Sequence, residues 1–189
     1  MKQTLSSKID HRVKQVLITN AQIKTAVKSL AVKLNKEYQG KQPILIGVLK
    51  GCLPFYNELF LQLTCDPIAD FMIVSSYRGT HSQGTAKIVT DTRQNIKGRN
   101  VIIIEDIVDT GHTLKALKQI LMLRKPKSLR IVTLLNKPAC RVVKLEPDYV
   151  CFTIKPVFVV GFGLDYNECM RNLPYIGELK ESVYSREEK

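Results

Sequence analysis

The feature that most constrains the fold of this chain is a run of four β-branched apolar residues, 101–104 (Val-Ile-Ile-Ile), which leads directly into Glu105 and Asp106. A continuous apolar run of this kind is typical of a strand that is buried on both faces, as in a parallel sheet. Residues 109–113 form a short polar loop, and a helical pattern follows over residues 113–123. We therefore predict a strand, a loop and a helix, with two adjacent carboxylates where the strand ends.

The same alternation of apolar runs and helical patterns covers most of the chain. Strands are predicted at residues 43–49, 69–77, 86–90, 129–135, 149–154 and 158–162. Helices are predicted from the capping box of Thr19 and Gln22 to Gly40, and at residues 54–63. Strands that alternate with helices indicate an α/β fold with a mainly parallel central sheet flanked by helices. The polar residues from 178 onward are expected to be poorly ordered in part.

The length of 189 residues suits one domain, and the charge indicates the kind of partner that it binds. Lysine and arginine total 29 against 17 acidic residues, which gives a net charge of +12. Residues 1–50 carry ten basic and two acidic side chains, so the excess is concentrated there. An anionic partner is implied, and nucleic acid, acidic lipid and phosphorylated metabolites all satisfy that requirement. A solvated basic face on the first helix is the simplest explanation of the N-terminal excess.

Several other classes of protein are excluded by the sequence. No apolar run approaches the ~18 residues that cross a membrane, and residues 1–20 lack the continuous apolar stretch of a secretory signal. The five cysteines have no Cys-x-x-Cys spacing, and the three histidines do not suggest a zinc site. We therefore expect a reduced, cytoplasmic protein that does not insert into membranes.

The end of the strand that carries the two carboxylates is also where a ligand is expected. In open α/β sheets, ligands bind at the carboxyl ends of the strands. Residues 109–113, Asp-Thr-Gly-His-Thr, supply backbone N–H groups and hydroxyls at a helix N-terminus, which makes an anion site. The carboxylates just before it are suited to hold ribose hydroxyls or a Mg²⁺ ion. The sequence thus predicts a phosphate cradle beside a carboxylate pair.

Other phosphate-site motifs do not fit the same residues. A Walker-type nucleotide site needs Gly-x-x-x-x-Gly-Lys-Ser/Thr, and a dinucleotide site needs Gly-x-Gly-x-x-Gly after a strand; the chain has neither. Phosphatases with an Asp-x-Asp nucleophile motif need acids two positions apart, whereas Asp106 and Asp109 are three apart.

The segment 101–113 resembles the phosphoribosyl-pyrophosphate (PRPP) loop of type I phosphoribosyltransferases, in which an apolar strand and two acids precede Asp-Thr-Gly-x-Thr. More narrowly, the chain resembles the hypoxanthine-guanine phosphoribosyltransferases. The similarity extends from about residue 43 to about residue 173 and includes Leu49-Lys50-Gly51 and the motif at residues 161–168 in the same order. The resemblance implies the type I phosphoribosyltransferase fold, as one domain over residues 1–189 with a small hood subdomain formed from the N-terminal and C-terminal segments.

The resemblance also implies where PRPP binds. Glu105 and Asp106 would bind the ribose hydroxyls and help to hold Mg²⁺, and Asp165 would bind a second Mg²⁺. The loop at residues 109–113 would wrap the 5′-phosphate, and Lys50 and Arg171 would contact the pyrophosphate. The residues that it assigns to PRPP are Lys50, Gly51, Glu105, Asp106, Asp109, Thr110, Gly111, His112, Thr113 and Arg171.

The same resemblance implies a purine pocket and a general base. Asp109 matches the base that takes the proton from purine N7. Lys137 matches the residue that donates to the purine O6, and Phe158 matches the aromatic that stacks on the ring. The residues that it assigns to the purine are Lys137, Phe158, Val159 and Asp165. Ser76 and Tyr77 match the start of a flexible loop that closes over the site.

The implied reaction joins PRPP and a 6-oxopurine, hypoxanthine or guanine, to give IMP or GMP and pyrophosphate. Xanthine as a further substrate stays open at this point. The resemblance also implies a homo-oligomer, either a dimer or a tetramer. The main alternative is a nucleic-acid-binding regulator built on the same fold, which the charge of +12 favours. The acid at Asp109, together with Lys137 and Phe158, argues against that alternative, and we do not expect a nucleic-acid partner.

Overall fold

The structure is a computed structural model that describes residues 9–76 and 86–185. Its strands are β1 (Val13–Ile18), β2 (Ile44–Leu49), β3 (Ile68–Ser76), β4 (Ala86–Thr90), β5 (Asn100–Val108), β6 (Ser128–Asn136), β7 (Tyr149–Thr153), β8 (Val159–Val160) and β9 (Ile176–Leu179). Its helices are α1 (Asn20–Tyr38), α2 (Leu53–Phe60), α3 (His112–Leu123) and α4 (Glu181–Tyr184), with a 3₁₀ turn at Pro138–Cys140.

Six strands form the central sheet, in the order β4-β3-β2-β5-β6-β7. The pairs β2–β3, β2–β5, β5–β6 and β6–β7 are parallel, and β4 is added antiparallel at one edge. The predicted α/β fold with a mainly parallel sheet is therefore confirmed. Its central strands are apolar on both faces because helices cover both sides: α1 and α2 pack on one face and α3 on the other.

A small second sheet has the order β1-β9-β8, and both of its pairs are antiparallel. It joins the N-terminal segment to the C-terminal one, since Val13 lies opposite Leu179. Three of its features depart from the sequence predictions. The strands β1 and β9 were not predicted, and the predicted strand at residues 158–162 shortens to β8. In the segment from residue 178, which was expected to be poorly ordered in part, the structure forms the end of β9 and α4, neither of which was predicted.

The strand β5 is longer than predicted, and this changes the setting of the two acids. The apolar run was expected to end at residue 104, but the ladder with β6 continues to the pair Val108–Asn136. Glu105 and Asp106 therefore lie within β5, near its carboxyl end, rather than after the strand. The strand β3 ends at Ser76, the first residue of the predicted closing loop, and the rest of that loop, from Tyr77 onward, lies outside the described residues.

Within the described ranges, no helix is both long enough and apolar enough to span a membrane. The longest helix, α1, is amphipathic instead. It buries Ile23, Val27 and Leu34 against the sheet, while its lysines fall on the exposed side.

The start of α1 is fixed by the predicted capping box. The Thr19 hydroxyl accepts from the Gln22 N–H at 3.3 Å, and the Gln22 side chain accepts from the Thr19 N–H at 2.8 Å. These two bonds satisfy backbone donors that have no partner inside the helix. The cap sets where the chain leaves β1 and enters the helix.

Thr19→Ala is expected to lower the free energy of unfolding by about 1 kcal/mol, because it leaves a helix-terminal donor without its acceptor. Urea unfolding followed by circular dichroism measures this change. Thr25→Ala is the matched control, since Thr25 is exposed on the same helix and its hydroxyl bonds only the Ala21 carbonyl oxygen. An equal loss in both variants would show that the cap contributes nothing particular.

Candidate active site

The predicted site residues meet at the carboxyl edge of the central sheet. Lys50 and Gly51 directly follow β2, the two acids lie near the end of β5, and Lys137 follows β6. These three strands are neighbours and parallel, so their carboxyl ends lie side by side. The arrangement explains how residues that are far apart in sequence share one site.

The loop after β5 forms an anion cradle. Gly111 is the N-cap of α3 and has a φ of 84°, a left-handed conformation that glycine adopts without strain. In the described part of the chain, neither Thr110 nor Gly111 donates its N–H to a protein acceptor. A cavity of about 140 Å³ lies at this loop. It is lined by Glu105, Ile107, Val108, Asp109, Thr110, Gly111, Thr113 and Leu114.

His112 is the first residue of α3, so it takes part in the cradle through its place at the helix N-terminus. The residue that follows, Thr113, lines the cavity. Free N–H groups at the start of a helix carry a partial positive charge, which favours a phosphate there. The loop thus has the free N–H groups and the helix N-terminus that the predicted phosphate cradle requires.

Lys50 and Gly51, which are predicted to contact the pyrophosphate of PRPP, lie where β2 ends. The peptide bond between Leu49 and Lys50 is cis. The Lys50 ammonium pairs with the Glu168 carboxylate at 2.7 Å, and both side chains are about two-thirds exposed. Solvent screening keeps such a pair weak, so the ammonium can exchange this partner for a substrate anion.

Gly51 lies at a contact between three chain segments. A Cβ added at Gly51 would lie 1.7 Å from Asp106 Oδ2, and one added at Gly163 would lie 1.9 Å from the Gly51 carbonyl oxygen. Gly163 also has a φ of 102°, which disfavours any other residue. Both positions need glycine because the backbone approaches its neighbours so closely.

The charged forms of the two adjacent acids, Glu105 and Asp106, are electrostatically unfavourable where they lie. Burial, together with the neighbouring Asp106, raises the pKa of Glu105 well above its usual range. Burial also raises the pKa of Asp106 to about 6, although the Ile107 N–H and Arg171 act in the opposite direction. Asp106 Oδ1 accepts from the Ile107 N–H at 2.8 Å. A cation bound here would relieve this cost.

Asp165 and Arg171 form the third side of the site. The Arg171 guanidinium pairs with the Asp165 carboxylate at 2.8 Å and with Glu168 at 3.3 Å. It also donates to the Gly163 carbonyl oxygen at 2.9 Å, which holds the loop closed on itself. Glu168 was not singled out as a site residue from the sequence. Its carboxylate nevertheless pairs with Lys50 and Arg171, the two basic side chains that are predicted to contact pyrophosphate.

The predicted base and the predicted purine donor are neighbours. Lys137 Nζ lies 3.5 Å from Asp109 Oδ2. The Lys137 side chain is only 9% exposed, whereas that of Asp109 is 46% exposed. The lysine is therefore a fixed, buried cation, and the carboxylate beside it is accessible to a ligand.

The predicted stacking residue, Phe158, has an open surface. It is 39% exposed and directly precedes β8. Tyr166 contacts it edge-on, with ring centroids 5.8 Å apart, and Tyr184 of α4 stacks on it at 5.3 Å. Val159 is buried and pairs with Glu178 in the small sheet. Two aromatic neighbours thus restrict the ring that is expected to contact the purine.

A sequence model described as a phosphoribosyl transferase domain matches residues 14–167. The chain therefore belongs to the phosphoribosyltransferase family. The match covers the central sheet, the loop after β5 and the first seven residues after β8, which include Asp165.

Within the phosphoribosyltransferase family, the chain is similar to enzymes that are named for hypoxanthine or guanine as substrates. The hypoxanthine-guanine phosphoribosyltransferase of Streptococcus pneumoniae is 52% identical over 178 residues, which are 94% of this chain and 99% of the relative. A solved hypoxanthine phosphoribosyltransferase from Staphylococcus aureus has 46% identity and a TM-score of 0.89, covering 92% of this chain and 95% of that one. The Trypanosoma cruzi hypoxanthine phosphoribosyltransferase, solved with the product IMP, has 38% identity and a TM-score of 0.88, covering 94% and 100%. The resemblance that the motifs indicated, to hypoxanthine-guanine phosphoribosyltransferases, is confirmed.

The raised pKa of Asp106 gives a stability prediction for the metal-free protein. The folded-state pKa of about 6 lies above the ordinary value of 3.8, so the folded protein binds this proton more tightly than the unfolded chain does. The resulting stability is complete below about pH 4 and is lost as the pH rises to about 6. Asp106→Asn is expected to raise the free energy of unfolding by about 1–3 kcal/mol at about pH 7.5, and to change it little at about pH 4.

Urea unfolding at the two pH values measures this difference. Asp91→Asn is a control of opposite sign, because Arg124 holds the pKa of Asp91 below its usual value. That variant is expected to lose stability near pH 7.5. A loss of stability in Asp106→Asn at the same pH would contradict the prediction.

Proposed function

We propose that this protein transfers the phosphoribosyl group from PRPP to hypoxanthine or guanine, giving IMP or GMP and pyrophosphate, in purine salvage. The observation that carries the proposal is the position of the Asp109 carboxylate. It lies at the anion cradle and within 3.5 Å of the buried Lys137 ammonium. A sugar phosphate held in the cradle and a base held by the lysine would meet at this carboxylate.

The charged groups of the site match those of PRPP, which carries a phosphate at one end and a pyrophosphate at the other. Its 5′-phosphate would occupy the cradle at residues 109–113, where free N–H groups and the start of α3 favour an anion. Its pyrophosphate would lie near Lys50 and Arg171, and the ribose hydroxyls near Glu105 and Asp106. When the bond to pyrophosphate breaks, negative charge grows on the leaving group, and prearranged cations stabilise that charge.

Mg²⁺ is the cofactor that we propose for this site. Among the described residues, no cluster of three or more His, Cys, Asp or Glu side chains forms a metal site. Mg²⁺ needs no such cluster, since it is usually held by one or two carboxylates with substrate phosphates and water. Burial raises the pKa of Asp106, so a cation bound beside it would favour the charged carboxylate. Glu105, Asp106 and Asp165 would hold the ions, which would neutralise the pyrophosphate oxygens.

The purine pocket would lie between Lys137 and Phe158. A buried lysine is a hydrogen-bond donor and not an acceptor, so it favours a 6-oxo group over the 6-amino group of adenine. Phe158 would stack on the purine ring, and the backbone at Val159 would contact the edge of the base. Asp109 would accept the N7 proton as N9 attacks the ribose carbon.

As the bond to pyrophosphate breaks, positive charge would develop at the ribose carbon. Water that reached this carbon would hydrolyse PRPP, so the site has to exclude water during the transfer. We propose that the small sheet of β1, β8 and β9 acts as a hood over the site. The segment that begins at Ser76 and Tyr77 would be the closing loop, and closure would exclude water during the transfer.

The nucleic-acid-binding regulator is not favoured as an alternative, because relatives that match nearly the whole chain are enzymes. Two further expectations stay predictions. One is a homo-oligomer, dimer or tetramer, for which the exposed Leu53, the first residue of α2, and Leu61, directly after it, supply apolar surface. The other is a cytoplasmic location.

The direct test of the function is a spectrophotometric assay with PRPP and Mg²⁺. Hypoxanthine, guanine, xanthine and adenine are compared as acceptors. We expect turnover with hypoxanthine and guanine and very little with adenine. Product formation from none of the four bases would overturn the proposed function.

Asp109→Asn is expected to lower kcat about 10²- to 10⁴-fold, because the amide cannot accept the purine proton. The affinity for PRPP should change much less, since the cradle would hold the 5′-phosphate through backbone N–H groups and threonine hydroxyls, which this substitution leaves in place. Steady-state kinetics with hypoxanthine and PRPP separate the two effects. Asp148→Asn is a control at a surface ion pair with Arg130. Near-normal turnover in the Asp109 variant would remove this residue from the mechanism.

Lys137→Ala is expected to reduce the preference for hypoxanthine over adenine at least tenfold, because the donor that recognises the 6-oxo group is lost. The ratio of the two kcat/KM values measures this preference. Lys155→Ala, at an exposed lysine shortly before Phe158, is the control and should leave the ratio unchanged. An unaltered ratio in Lys137→Ala would refute the assignment.

A further inference from the structure

We infer that Arg141 is a positioning residue for the phosphate cradle and for the base Asp109. This inference rests on the proposed function, because it takes the loop at residues 109–113 as the site of the 5′-phosphate. Arg141 follows the 3₁₀ turn at Pro138–Cys140, contacts the loop at the Asp109 carbonyl oxygen, and does not line the cavity of the cradle.

Three successive carbonyl groups, from the end of β5 into the loop (residues 108–110), accept hydrogen bonds from the segment after β6. The Val108 carbonyl oxygen accepts from the Lys137 N–H at 3.0 Å, and the Thr110 carbonyl oxygen accepts from the Val142 N–H at 3.1 Å. Between them, the Asp109 carbonyl oxygen accepts from Arg141 Nη1 at 2.7 Å. Of these three bonds, only the middle one comes from a side chain.

These bonds determine where the loop N–H groups point. In a planar trans peptide, the N–H of the next residue points opposite to the carbonyl. Because the Asp109 carbonyl points at Arg141, the Thr110 N–H points away from it. The Gly111 N–H is turned in the same way by the bond at the Thr110 carbonyl. Neither of these two N–H groups donates to a protein acceptor among the described residues.

The guanidinium is itself held in a fixed orientation. Its Nη2 donates to the Asn136 side-chain oxygen, and Asn136 is 7% exposed at the end of β6. Arg141 Cδ would lie 3.1 Å from a Cβ placed on Gly111, so its stem supports the left-handed residue of the loop. Arg141 thereby links the strand end that carries Lys137 to the cradle.

The charge of Arg141 adds a second effect. In the part of the chain that the structure describes, no carboxylate lies within ion-pair distance of this guanidinium, and its two hydrogen bonds go to neutral oxygens. A positive charge directly behind the loop favours an anion in the cradle, and screening is weak because the group is half-buried. Arg141 does not need to touch the phosphate to act on it.

Arg141→Lys tests the inference with the charge kept and the forked geometry removed, because an ammonium cannot bond both oxygens in one plane. We expect the KM for PRPP to rise about tenfold or more and kcat to fall, while the KM for hypoxanthine stays within about threefold. Arg130→Lys, at a surface pair with Asp148, is the matched control and should behave as the wild type.

Equilibrium binding makes the result independent of the fraction of folded protein. The ratio of the affinities for IMP and for inosine reports the contribution of the 5′-phosphate alone. We expect Arg141→Lys to reduce this ratio about tenfold, equivalent to about 1.4 kcal/mol. Affinities for IMP and inosine that fall in the same proportion, or an unchanged KM for PRPP, would overturn the inference. Turnover by the wild-type protein tests the proposed function separately.

Discussion

The close contact of Asp106 with the backbone of Gly51 is the constraint on which the site depends. It fixes the end of β5 against the turn after β2, and Gly163 closes on the other side of the same peptide. Each contact is possible only because no Cβ intervenes. The turn that carries Lys50 and the acids of β5 are therefore held together at backbone contacts, which keep their geometry better than contacts between long side chains do.

The same packing explains why the site is electrostatically costly. Two acids are adjacent in β5 and partly withdrawn from water, and the pKa of each is raised. The apolar packing around β5 has to offset this cost, since the strand core from Ile102 to Ile104 is fully buried. The stability that is lost at these carboxylates would be the cost of the negative charge that the proposed Mg²⁺ site needs.

Local patterns carried most of the prediction from sequence. The strand, acids and loop at residues 101–113 are contiguous, so their order could be read directly. The strands β1 and β9 could not, because they are short, of mixed polarity, and paired across the chain from Val13 to Leu179. Contacts made by Glu168 and Arg141 were missed for the same reason: their partners are distant residues or backbone carbonyls, which leave no pattern in sequence.

The ion pair between Lys50 and Glu168 has a consequence for product release. The cation that is expected to receive pyrophosphate already has an anionic partner on a neighbouring loop, 2.7 Å away and open to water. In the proposed reaction, arrival of the substrate would exchange one counterion of Lys50 for another, and departure of pyrophosphate would return the lysine to Glu168. This internal carboxylate would compete with pyrophosphate for the lysine, so the leaving group would be held less tightly than by an unpaired cation.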